Sequence, residues 1–195
     1  MRSLVTLLLL LAPVVGAEPT WQPRRTAVGL GVSGRWTKAV ELGGGGRAMT
    51  VSGGGPAANV SGSFGWSRGA LRLGGLGSYE LMFSPEHDLE VTAAGPLRPQ
   101  TTRGPTVTAA HFFSLGPFVG AQTGGDHLVG FADAALLVDL LAAELEGDGL
   151  RLGLRFVPVA RVGVSIDMGF ASLELWLFGS ALVAPRAGLV LALGF

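Results

Sequence analysis

The chain has 195 residues, enough for one domain with or without a removable leader. Its formal net charge is zero and only 14% of its residues are charged, so it carries neither a basic stripe for nucleic acid nor an acidic tail. Cysteine is absent, which excludes disulfides, thiolate metal sites, a cysteine nucleophile and a lipid-modified cysteine.

Residues 1–17 read as a signal peptide. Arg2 supplies the positive start, residues 4–11 are apolar apart from Thr6, and Val15-Gly16-Ala17 offers small residues for cleavage between Ala17 and Glu18. The apolar run falls short of the roughly 20 residues that a spanning helix needs. The mature chain, 18–195, is then a single domain.

From there, alternation with period two runs between glycine-rich breaks and predicts about eight strands. In 28–36 the apolar face is Val28, Leu30, Val32 and Trp36, against Gly29, Gly31, Ser33 and Arg35. Val60, Phe64 and Trp66 oppose Asn59, Ser61 and Ser63; Leu71, Leu73, Tyr79, Leu81 and Phe83 oppose Arg72, Ser78 and Glu80. The stretch 107–121 sorts less cleanly, because Phe112 and Phe118 share a face with Thr108 and Ser114. Leu136, Val138 and Leu140 oppose Asp133 and Asp139. In 150–167 no charged residue falls on the face of Leu150, Leu154, Phe156 and Val162, while Arg151, Arg155, Arg161 and Asp167 share the other. Leu173, Leu175 and Leu177 oppose Ser172, Glu174 and Trp176, and Leu189, Leu191, Leu193 and Phe195 oppose Arg186, Gly188 and Gly194.

Two segments admit a helix as the competing reading. Residues 129–146 are rich in Ala and Leu, strong helix formers, yet only a strand puts Asp133 and Asp139 on one face. Residues 170–195 are apolar enough to imitate a membrane helix, against which Glu174, Pro185 and Arg186 argue. The breaks alternate in length: 38–58 and 84–105 read as long loops, 67–69 and 167–169 as tight turns. Ten strands result if 47–52 and 89–93 pair as well.

A soluble β-sandwich also has one apolar face per strand. These strands are long, and their other face is mostly Gly, Ser, Thr and Ala, which suits the narrow interior of an eight-stranded barrel. The expected fold is therefore all-β, a closed antiparallel up-and-down transmembrane barrel, with every backbone group satisfied without water. Its interior charges pair across one hairpin: Asp139 with Arg155, and Asp133 with Arg161, lie at equal distances from Gly147.

At the C-terminus, Gly188-Leu189-Val190-Leu191-Ala192-Leu193-Gly194-Phe195 resembles the final strand of bacterial outer-membrane β-barrels. The resemblance implies that Leu189, Leu191, Leu193 and Phe195 form the signal read by the barrel-assembly machinery. As a strand pattern the mature chain is similar to small eight-stranded barrels of the OmpA and OmpX type, though with one tyrosine and four tryptophans its aromatic girdles are sparse. Trp36, Tyr79 and Phe83 are assigned near the outer interface, Trp66 and Phe195 near the inner. The implied location is the bacterial outer membrane, and the implied partners are its lipid and, during biogenesis, the assembly machinery.

Some barrels of this size modify lipids, so the three histidines matter. His111 is placed on the outward face, but the nearest serine, Ser114, has opposite parity, and no Ser-His-acid set emerges. Asp126-His127, Asp167 and the His87 group with Glu86 and Asp88 lack metal-type spacing. Gly43–Gly46 and Gly53–Gly55 lack the Gly-Lys-Ser or Gly-Lys-Thr of a phosphate loop and read as hairpin tips. The expectation is a non-enzymatic barrel without cofactor or metal, in a structural or surface-interaction role; the sequence sets no oligomeric state. The alternatives are a narrow solute pore, which inward Phe131, Phe170 and Trp176 oppose, a lipid-modifying enzyme, and a soluble periplasmic β-sandwich.

Overall fold

A computed structural model of the chain describes residues 20–43, 48–94, 101–125, 127–169, 171–179 and 186–194. The leader, the cleavage pair Ala17 and Glu18, Phe170, Pro185 and Phe195 lie outside them. The period-two segments become antiparallel strands: β1 (Gln22–Leu42), β2 (Met49–Arg68), β3 (Leu71–Met82), β4 (Leu89–Ala94), β5 (Thr101–Arg103), β6 (Val107–Gly124), β7 (Leu128–Leu145), β8 (Gly149–Asp167), β9 (Ala171–Gly179) and β10 (Arg186–Gly194). A single helical turn, α1 (Pro85–Asp88), follows β3.

Eight of these strands form a hydrogen-bonded ring. The sheet order is β1-β10-β9-β8-β7-β6-β3-β2, and β1 also pairs with β2, so the first strand joins the last and the second. The β4–β5 pair rides on β2, through Met49↔Ala93 to Gly53↔Leu89. The ring has the eight strands expected; the sheet counts ten because 89–94 and 101–103 add two more, whereas residues 49–52, considered as a separate strand, continue β2 and pair there with β4.

The long break expected over 38–58 is mostly strand. After a register shift between Thr37 and Val40, pairing resumes at Val40↔Val51 and runs to Leu42↔Met49. The physical reason is burial: Val40, Leu42 and Val51 turn inward and join Val91, Phe112 and Leu141 in an apolar cluster that fills the end of the ring bearing these longer connections, the loop end. Gly53–Gly55 therefore lie within β2 rather than at a hairpin tip. The break over 84–105 likewise contains α1, β4 and β5.

Residues 129–146 are strand for nearly their whole length despite their alanines. Inward Phe131, Asp133, Leu137, Asp139 and Leu141 are buried and outward Leu136 and Val138 are exposed, so tertiary pairing overrides helix propensity. The described part of 170–195 forms β9 and β10, not a helix. At the opposite end, the turn end, tight connections join β2 to β3 and β8 to β9. Glycines with φ of 59° and 90°, Gly69 and Gly169, occupy these two turns, a backbone region that other residues rarely adopt.

Inside the ring, small residues on one strand make room for large ones on the next. The indole of Trp176 on β9 lies over Gly188 on β10, where any Cβ would meet the ring. Below the loop-end cluster, Leu76, Phe118, Leu137 and Val157 meet across the lumen, and nearer the turn end Phe131, Trp176, Val190 and Ala192 do the same.

Candidate functional site

The polar chemistry of the molecule is concentrated inside the ring, in two groups anchored by the two aspartates of β7. Hairpin pairing through a turn at residues 146–148 sets Asp139 opposite Arg155 and Asp133 opposite Arg161. Parity sends all four inward, because Leu136 and Val138 point out.

Arg35 of β1 is the centre of the group nearer the loop end, with 1% of its surface exposed. It donates from Nη2 to Asp139 Oδ2 at 2.7 Å, and from Nη1 to Glu80 Oε2 at 3.2 Å and Ser114 Oγ at 3.4 Å. Arg155 donates to the same Asp139 oxygen through Nε and Nη2 at 3.1 and 2.9 Å. Ser114 donates to Asp139 Oδ1, and Asn59 Nδ2 to Glu80 Oε1 at 3.3 Å. The Arg35 guanidinium also lies over Phe112, 4.1 Å from the ring centre. Six ring strands, β1, β2, β3, β6, β7 and β8, are tied together at this level.

The second group shares one carboxylate between two guanidiniums. Arg161 donates to Asp133 Oδ2 through Nε and Nη2 at 3.0 and 2.8 Å, and Arg72 Nε forms an ion pair with Asp133 Oδ1 at 3.1 Å. Phe131 contacts both guanidiniums, with centroids 4.7 Å from Arg72 and 4.6 Å from Arg161. Burying unpaired ions costs several kcal/mol each, which is why these arginines occur only with carboxylates and aromatic faces around them.

Sequence reading found the β7–β8 pairs but not Arg35, Glu80 and Arg72 as their further partners. Arg35 and Asp139 are 104 residues apart, and only ring closure brings them together. The available signal was parity: each is a charged residue on an otherwise small-residue face.

His111 and Ser114 occupy opposite faces of β6. His111 Nδ1 lies 2.8 Å from the Tyr79 hydroxyl on the outer face, whereas Ser114 belongs to the interior network. Leu189, Leu191 and Leu193 all point outward on β10 and are exposed. Trp36, Trp66 and Phe83 are exposed, and Tyr79 is half-buried beside Phe113. Among the described residues no group of three or more His, Cys, Asp or Glu is arranged to hold a metal.

The ring holds a cup at its turn end, about 310 Å³ in volume, lined among others by Arg72, Phe118, Ser63, Ser172, Asp167 and Glu174.

No protein-family model matches the chain, and no curated protein matches it either. Among solved structures it is similar to Neisserial surface protein A, a β-barrel, with a TM-score of 0.50 and 12% sequence identity; the match covers 87% of this chain and 97% of that one. At that identity the likeness is one of fold: an all-β antiparallel ring.

Proposed function

We propose that this chain is an integral outer-membrane β-barrel protein with a structural or surface-interaction role and no enzymatic chemistry. The observation that carries this reading is the outer face of the ring. Each ring strand exposes large apolar side chains, represented by Leu30, Val60, Leu71, Leu115, Leu136, Phe156, Leu175 and Leu191. Soluble monomers rarely expose contiguous apolar patches beyond a few hundred Å², and an apolar belt around a whole ring suits hydrocarbon rather than water.

The interior supports the non-pore form of this reading. Apolar side chains meet across the lumen at three levels, with arginine–carboxylate groups between them. The fold likeness to a protein named for its place at the Neisserial surface agrees with an outer-membrane location. Export then proceeds through the leader with cleavage after Ala17, and Leu189, Leu191 and Leu193 with Phe195 present the assembly signal. A lipid-modifying activity receives no support from His111, whose ring partner is Tyr79 rather than a serine.

The test is heat-modifiability on a gel, using residues 18–195 refolded into detergent micelles. The expected result is a faster-migrating unboiled band that shifts on boiling, with a β-type circular dichroism spectrum before heating. A chain that is soluble without detergent and shows no shift overturns the membrane reading.

A further inference from the structure

We propose that the turn-end cup is a binding site for a small organic cation, with the Glu174 carboxylate as its counter-charge. Among the described residues, the buried charges of the lumen, Arg35, Arg72, Glu80, Asp133, Asp139 and Arg161, are all ion-paired, and partly buried Arg155 is too. Glu174 is the exception. It points inward from β9 and is half-buried, yet among the described residues it has neither a hydrogen bond nor an ion pair through its side chain. The second carboxylate of the cup, Asp167, instead accepts a hydrogen bond from the Gly169 amide at 2.7 Å and stabilises its own turn.

Glu174, with Ala27 and Ser63, lines both the cup and a neighbouring recess of about 30 Å³, whose other walls include Trp176, Ser78 and Arg161. A carboxylate beside an aromatic ring is the combination that recognises an ammonium group. Ser63 and Ser172 offer hydroxyl acceptors for its N–H donors. The arginines nearby do not make this an anion site: Arg72 and Arg161 share Asp133, and with Asp167 and Glu174 the described charges around the cup and recess sum to one negative charge. At about 310 Å³ the cup matches the lower end of small-molecule sites, about 300 Å³. The inference rests on the lumen and not on the membrane reading.

The experiment is calorimetric titration of putrescine into the folded protein in uncharged detergent micelles, with 1,4-butanediol as the neutral analogue. The expected result is saturable one-to-one binding of putrescine, none of the diol, and at least ten-fold weaker binding by Glu174→Gln. Ser172→Leu, which keeps the carboxylate but occupies the cup, weakens binding likewise, and together with the diol it decides the matter if Glu174→Gln does not fold. Absence of saturable putrescine binding, equal binding of the diol, or unchanged affinity in the folded variants overturns the proposal.

Discussion

Asp139 accepts hydrogen bonds from Arg35, Ser114 and Arg155, so its removal takes the carboxylate partner from Arg155 and leaves Arg35 to Glu80 and Ser114. Asp139→Ala is expected to cost about 3–5 kcal/mol, the usual penalty for removing one partner of a buried ion pair. The estimate belongs toward its lower end because 19% of the Arg155 side chain remains accessible. Urea unfolding of the folded protein in micelles measures it. Asp148→Ala, which removes the local i,i+3 pair with Arg151 at the loop-end turn, is expected to cost no more than about 1 kcal/mol in the same assay. The contrast follows from burial, not from bond length, since both pairs include a contact of 2.7 Å. At this scale the sequence was partly legible. Asp139 and Arg155 could be matched because a tight hairpin fixes their register about Gly147, whereas Glu80 and Arg72 answer to partners that no local turn specifies.

The elements were legible where both faces of a strand differ sharply, as in β8, and less so where burial rather than turn chemistry decides. The glycines of 53–55 suggested a hairpin tip, but Val40 and Val51 gain more by facing the lumen than the chain loses by ordering glycine, and β1 and β2 extend accordingly. In β9 and β10 the packing of Trp176 on Gly188 links neighbouring elements through a missing side chain. Gly188→Val is expected to displace the indole and cost about 1–3 kcal/mol, as overpacking commonly does. Near-UV circular dichroism and tryptophan emission report the displacement, and unchanged spectra with unchanged stability would count against this packing.

For the whole molecule, the account turns on what covers the outer face. Leu30 is 68% exposed and Leu115 65%. In a bilayer, Leu30→Arg or Leu115→Arg is expected to destabilise by about 2–4 kcal/mol if the site is near the midplane. On a water-exposed sheet the same change lies within about 0.5 kcal/mol of neutral. The distinction was only half legible in the sequence: alternation identifies two faces, but ring closure shows that the apolar one is continuous and outside. The most direct test uses the absence of native cysteine. Single cysteines replacing Phe156, Ala160, Val162 and Val164, and inward Val157 and Val159, are labelled with a nitroxide in protein folded into lipid vesicles. The account predicts that the outward sites collide readily with oxygen and scarcely with a water-soluble nickel chelate, while the inward sites are shielded from both. Free collision of the chelate with the labels at 156, 160, 162 and 164 would contradict a membrane-spanning ring.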